Sequence, residues 1–187
     1  MDDLAGLLID IRALAEMAAD TEREESRLRE AEVNDQFGGF ISAILGDQAP
    51  TGPCLEVEGG TKRIDYRIID ESGCDLLPIM NQASLNATAL ALLFAQAARR
   101  VRSGLPTWVV LDDPVQSLDS AHQRGLADAI DKLSHACQVI VAAPPQGEPD
   151  FTDRVERFVT SPRRIAEIPT GLGTPDAAAS FRTRDLP

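Results

Sequence analysis

Hydrophobic positions change their spacing along the chain. Near the start they recur every three or four residues: Leu4, Leu7, Ile11, Leu14 and Ala18. That is the apolar stripe of an amphipathic helix, and it predicts helix over residues 2–34. The stripe then fades. Thr21 and Glu25 fall on it before Leu28 returns, and residues 22–32 are rich in charge. Two uses fit such a segment: an ordinary surface helix, or the end of a coiled-coil arm or partner-binding helix. The stretch QFGGF, residues 36–40, predicts the end of that helix. A short segment at 41–45 and turn-rich residues 46–52 follow.

The spacing then drops to two. CLEVEG (residues 54–59) and KRIDYRIID (62–70) alternate apolar and polar residues, with Gly59, Gly60 and Thr61 between them. That pattern predicts a β-hairpin, closed off by Glu71, Ser72 and Gly73. Residues 86–103 are rich in Ala and Leu and apolar nearly all round until Gln96, which predicts a helix with its first half buried. Residues 107–111 and 137–143 are short continuous apolar runs, the pattern of fully buried strands. Between them, residues 121–136 place Leu126, Ile130 and Leu133 on one helical face. A short helix at 151–159 and a last strand at 164–168 complete the alternation. From Pro169 the chain is rich in Gly, Pro and Ala and reads as a disordered tail, 169–187. Alternating helices and strands predict an α/β fold, a parallel sheet with flanking helices. The expected domains are a helical, coiled-coil-like segment at 1–35 and one lobe at 36–168.

Composition narrows the use of such a lobe. With 187 residues, 43% of them hydrophobic, the chain can bury one core. Thirty acidic residues against 18 basic ones give a formal net charge of −12. That argues against a surface built for nucleic-acid phosphates. The dense basic spots are Arg99, Arg100 and Arg102, read as a helix end, and Arg163 with Arg164, read as a loop. No run of about 18 apolar residues is present to make a membrane span. The acidic start, MDDLAGLLID, lacks the features of a secretory signal. Cys54, Cys74 and Cys137 form neither a disulfide framework nor a CxxC pair. The expectation is a cytoplasmic protein without a membrane partner.

The candidate chemistry lies in TWVVLDDPVQSLDS, residues 107–120. An apolar strand ends on Asp112 and Asp113, and ligands of parallel sheets bind at the carboxyl ends of strands. Two adjacent carboxylates repel each other unless a cation or a raised pKa relieves them. Mg2+ is a common reliever, because it takes a few carboxylates, keeps its waters and clamps phosphates. One acid can then serve the metal shell while its neighbour orients or deprotonates water. A plainer use also fits: Asp113 before Pro114 is a common way to start a turn.

The same residues resemble the Walker B strand and D-loop of ABC-type ATPases of the SMC, RecN, RecF and SbcC group. The resemblance implies the C-terminal half of a P-loop NTPase-like head, preceded by a β-hairpin and a returning coiled-coil helix, over residues 4–168. It implies that Asp112 belongs to the Mg2+ shell and that Asp113 stands for the catalytic acid, usually a glutamate. Ser117, Leu118 and Asp119 then correspond to the D-loop, which in that group faces a partner head, and Gln116 before them strengthens the match; by the resemblance Gln116, Ser117 and Asp119 belong to the nucleotide-binding residues. Upstream, MNQASLN at residues 80–86 occupies the place of the ABC signature. By resemblance Asn81, Gln82, Ala83 and Ser84 face the γ-phosphate of ATP held by the opposite head. Free N–H groups and the positive end of a helix dipole suit that role.

The chain also departs from the group. It contains no G-x-x-x-x-G-K-[ST] stretch; the GGTK at residues 59–62 lacks the spacing. Asn81 and Ala83 replace the signature serine and glycine, and Ala83 adds a Cβ where the backbone of the group comes close to phosphate. Pro144 falls near the place of the switch histidine, while His122 and His135 fall on the preceding helix, read as surface or helix-flank residues. The resemblance therefore implies ATP and Mg2+ as cofactors only in the presence of a P-loop-bearing lobe, and no hydrolysis by this chain alone. It implies a head-to-head dimer, DNA contacted only indirectly, and work in DNA repair, chromosome maintenance or phage defence. A second reading is a non-catalytic interaction or regulatory module derived from that lobe, docking through the 2–34 helix.

Overall fold

The structure, a computed structural model, describes residues 2–60, 63–115, 117–142, 163–167 and 182–186. Its first element, α1 (Asp2–Leu45), is a single helix of 44 residues. The break expected at 36–40 does not occur. Phe37, Phe40, Ile41 and Ile44 follow helical spacing and are all buried. Glycine in a helix interior costs about 1 kcal/mol. Packing four large apolar side chains outweighs the two together. Nothing in the packing requires either glycine: a Cβ at Gly38 would lie 3.8 Å from the Pro53 carbonyl oxygen, and one at Gly39 3.8 Å from Lys132 Nζ. The helix stops instead at Gly46, whose φ of +55° is left-handed.

A hairpin follows. β1 (Cys54–Gly60) and β2 (Arg63–Ile69) pair antiparallel with Cys54 opposite Ile69 and Val57 opposite Tyr66, as the alternation predicts. Asn34 of α1 acts as a substitute strand partner for β1. Its Nδ2 donates to the Leu55 carbonyl and its Oδ1 accepts from the Leu55 N–H, both at 2.7 Å. Leu55 and Ile68 reach the core beside it.

The next helix, α2 (Gln82–Arg102), begins four residues before the expected start. Ala87, Thr88, Ala91, Phe94, Ala95 and Ala97 are buried. The Phe94 ring meets Phe40 edge-on, with centroids 5.6 Å apart. All-round burial of the first half is not realised, because Ala89 and Leu93 are exposed. Arg99 and Arg102 reach across to α1, to Glu32 at 3.3 Å and Asp35 at 3.5 Å. Part of the basic spot therefore serves the helix pair.

The next unit is β-α-β: β3 (Trp108–Asp112), α3 (Ser120–Ser134) and β4 (Gln138–Ala142). The strands are parallel, with Trp108 opposite Gln138 and Asp112 opposite Ala142. Leu126, Ile130 and Leu133 bury the predicted face of α3. Gly125 lets α3 touch α1: a Cβ there would lie 2.9 Å from Ile44 Cα and closer still to the Ile44 and Ala43 carbonyls. The expectation of two fully buried strands is corrected. Val109 and Leu111 are buried, but Trp108, Val110 and Ile140 are exposed. One face of the sheet is covered and the other is open.

The predicted last strand is present as β5 (Arg163–Glu167), so Arg163 and Arg164 are strand rather than loop. It does not extend the parallel sheet. It pairs antiparallel with β6 (Arg182–Leu186), which lies inside the segment read as a tail. Among the described residues the sheets are thus three separate pairs of strands. The expected hairpin residues Thr61 and Lys62, Gln116, Pro144 and the helix at 151–159 lie outside the described residues. No described helix is long and apolar enough to cross a membrane.

Candidate functional site

The paired acids sit where the sequence places them, at the carboxyl end of a parallel strand. β3 runs one residue further than Leu111, so Asp112 is its last residue, and it is exposed. Asp113 extends the ladder by one bond, its N–H donating to the Ala142 carbonyl at 2.7 Å. Its backbone then turns sharply, with φ at +44°. A non-glycine residue in the left-handed region carries about 1–2 kcal/mol of strain. Its Oδ1 is buried and has no hydrogen-bond partner. A buried oxygen left unpaired costs a further ~1–3 kcal/mol. The bond that would make Asp113 Oδ1 a plain turn-starter is therefore missing.

The turn beyond is held from both sides. Val115 and Leu118 are buried, and the Leu118 N–H donates to the Val115 carbonyl at 3.0 Å. Between them Ser117 is exposed at φ +67°. Asp119 is the N-cap of α3, its Oδ1 accepting from the N–H groups of Ala121 and His122, both at 2.9 Å. The His122 N–H is the main reason that the Asp119 carboxyl is held below the ordinary carboxylate range. His122 is buried, not a surface residue. Its Nδ1 lies 3.0 Å from Asp119 Oδ1 without completing a hydrogen bond. His135 is exposed, with Nδ1 2.7 Å from the Asp131 carbonyl.

The signature-like residues form a second cluster, at the start of α2. Asn81 is the N-cap and its Oδ1 accepts from the Ser84 N–H at 2.9 Å. Gln82 Nε2 donates to Asn86 Oδ1 at 3.0 Å. The first-turn N–H groups of Gln82 and Ala83 have no partner within the helix. Ala83 sits in that turn with ordinary helical backbone, since Asp113 and Ser117 are the non-glycine residues at positive φ. Its Cβ therefore meets no backbone strain. The structure joins Asp112, Asp113, Ser117 and Asp119 on one turn and keeps Asn81, Gln82, Ala83 and Ser84 on a separate helix.

Among the described residues no three His, Cys, Asp or Glu side chains gather as a metal site. Two adjacent carboxylates, one exposed and one with an unpartnered oxygen, fit Mg2+ as half of a donor set. Mg2+ is commonly held by one or two carboxylates, with waters and substrate phosphates completing its shell.

No protein-family model matches the sequence, and no curated relative does. Solved structures do. An Smc head domain with a coiled coil and joint from Pyrococcus yayanosii matches at TM-score 0.60 and 17% identity, over 94% of this chain and 31% of that one. An SmcHead bound to the C-winged helix domain of ScpA matches at 0.59 and 15%, over 89% and 46%. A chain from a study of ATP-driven dimerization of SMC ATPases matches at 0.55 and 16%, over 88% of this chain and 89% of its own length. The chain thus has an α/β fold similar to SMC head domains. It spans less than half the length of the first two heads.

Proposed function

We propose that the chain is the C-terminal lobe of an SMC/RecN/RecF/SbcC-like ABC-type ATPase head. In this reading it binds and hydrolyses ATP with Mg2+ only together with a P-loop-bearing lobe. The observation that carries the reading is Asp113: a strained acid with an unpartnered buried oxygen, next to a second acid at the end of a parallel strand. Strain and unpaired polar atoms persist where the surrounding fold imposes them, and they concentrate at functional sites. The likeness to SMC heads supports the fold in which such a site works.

Asp112 would hold the Mg2+ shell. The ion, when bound, supplies charge neutralisation to the phosphates. Asp113 orients the attacking water and accepts its proton. Asn81, Gln82, Ala83 and Ser84 present the start of α2 to the γ-phosphate held by an opposing head. Gln116, Ser117 and Asp119 face that head across the dimer. The sequence has no G-x-x-x-x-G-K-[ST] stretch to cradle a β-phosphate, so in this reading hydrolysis waits for the second lobe. DNA repair, chromosome maintenance and phage defence are the processes to examine.

The test is to co-purify the tagged chain from its native source in ATP and Mg2+, then measure hydrolysis. The expected result is a P-loop-bearing partner, with turnover by the complex and none by the chain alone. Robust turnover by the isolated chain, abolished by Asp113→Asn, would overturn the need for a second lobe. A complex whose turnover ignores Asp113→Asn would make this chain the non-catalytic module instead.

A further inference from the structure

A cleft of about 360 Å³ lies between α1, α2 and the β1–β2 hairpin, outside both clusters described above. Small-molecule sites span roughly 300–1,000 Å³, so the cleft has room for one. Helical spacing turns one stripe of α1 into it: Ser26, Arg29, Glu30 and Val33. Leu92 and Arg99 line it from α2, and Leu55 and Tyr66 from the hairpin. Val33 and Leu55 are buried and Leu92 is half-buried, so the floor is apolar. Ser26 is only 7% exposed, although most of its neighbours between 22 and 32 are exposed. Tyr66 stands on the core side of β2, two residues before buried Ile68, and yet is 58% exposed. The cleft thus leaves a large aromatic ring uncovered beside an apolar floor and charged walls.

We propose that this cleft binds a small zwitterion with an apolar body, an α-amino acid with a large apolar side chain. The lining carries both signs of charge. Arg29 pairs with Glu25 through Nη2 at 2.7 Å, and Arg99 with Glu32 through Nη1 at 3.3 Å. Neither glutamate lines the cleft. A guanidinium has several N–H donors, so both arginines keep some for a ligand carboxylate. A carboxylate has several lone-pair sites, so Glu30 accepts from a ligand ammonium beside the interactions it already makes. The apolar side chain of the ligand covers Val33, Leu55 and Leu92, with the Tyr66 ring against it. A simple anion would meet Glu30 and a chain of net charge −12. A simple cation would meet two guanidinium groups. A ligand with both charges matches the walls, and an apolar body matches the floor. The inference is independent of the proposed function, because no residue of the 107–122 stretch lines the cleft.

Tyr66 is the single tyrosine, so fluorotyrosine labelling of the full chain gives one fluorine NMR signal, and it comes from the cleft. The probes are L-phenylalanine, hydrocinnamate, which lacks the ammonium, and phenethylamine, which lacks the carboxylate. L-phenylalanine is expected to shift the signal saturably, with half-saturation at or below about 1 mM. Each single-charge analogue needs at least about tenfold more for the same shift. Arg99→Gln and Glu30→Gln each weaken L-phenylalanine about tenfold, since each removes one charged partner. Arg100→Gln removes a neighbouring charge that does not line the cleft, and leaves binding within about twofold. No saturable shift at millimolar L-phenylalanine overturns the inference. So does an analogue that binds as tightly as the zwitterion, which would make one of the two charges irrelevant. Equal weakening by Arg100→Gln and Arg99→Gln also overturns it, because the effect would then be one of overall charge.

Discussion

Two aspartates that follow strands of this molecule close their turns in opposite ways. Asp70 follows β2, and its Oδ1 accepts from the Ser72 N–H at 2.9 Å, the Ser72 hydroxyl at 2.6 Å and the Cys74 N–H at 2.9 Å. Asp113 follows β3, and its Oδ1 accepts nothing, though it is buried. The first carboxylate organises its own turn. The second sits in a turn organised by other groups: buried Val115 and Leu118, and the Asp119 cap. A side chain that the fold does not use, yet holds in a strained backbone, is available for chemistry. That contrast separates an acid that organises its own turn from one that the proposed chemistry would use, although both read in sequence as Asp at a strand end.

The largest expected difference is in turnover. In the proposed complex with a P-loop-bearing lobe, Asp113→Asn is expected to lower ATP hydrolysis about a hundredfold or more, the usual scale for losing a positioned acid or base. Asp70→Asn leaves it within about twofold, because surface changes away from the chemistry act weakly. Steady-state hydrolysis by the two variant complexes checks this. Equal losses would mean that Asp113 acts only through the fold.

Stability should reverse the order. Asp113→Gly removes about 1–2 kcal/mol of left-handed strain and an orphaned oxygen, against ~0.5–1 kcal/mol for glycine's added freedom in the unfolded chain. A net gain of about 1 kcal/mol raises the melting temperature by ~2–4 °C. Ser117→Gly, also left-handed but exposed, gains about half as much, because it relieves strain alone. Asp70→Ala lowers the melting temperature, since it strips three donors of their acceptor. Thermal melts of the three variants rank them. A loss on Asp113→Gly would mean that the carboxylate is satisfied after all.

The position of this contrast was legible in sequence, but its nature was not. Period-two alternation located the hairpin, and the 3-4 spacing of Leu126, Ile130 and Leu133 located the buried face of α3. The strand ending on Asp112 and Asp113 was visible as an apolar run meeting two acids. The capping role of Asn81 was readable too, since Asn ahead of an apolar helix is an N-cap signal, yet the Ala-rich run drew the helix start to 86. Three things depended on distant contacts. Gly38 and Gly39 signal a break, and only the burial of Phe37, Phe40, Ile41 and Ile44 keeps α1 running. Gly125 looks like a helix weakness, and only the backbone of Ala43 and Ile44 explains it. The apolar run at 107–111 shows that a strand can be covered on both faces, not that this chain covers both.

The smallest expected effect is in acid. The Ser72 hydroxyl, then the Cys74 N–H, hold the Asp70 carboxyl below its ordinary value. Asp119 is lowered as well, chiefly by the His122 N–H. A carboxylate whose folded pKa is depressed adds stability above its unfolded value, about 3.9 for Asp. That contribution is lost as pH falls through the lower folded value. The gap in melting temperature between the native chain and Asp70→Asn should therefore be constant from neutral pH down to about 4, then close at lower pH. Asp119→Asn should show the same sign, with part of its gap surviving in acid, because asparagine still caps a helix. Asp119 is exposed and Asp70 only half-buried, so each gap is small, and it shrinks little with added salt because their partners are mostly neutral N–H and O–H donors. A gap that widens in acid would assign the stabilisation to the protonated carboxyls, and Asp70 would no longer be the satisfied counterpart of Asp113.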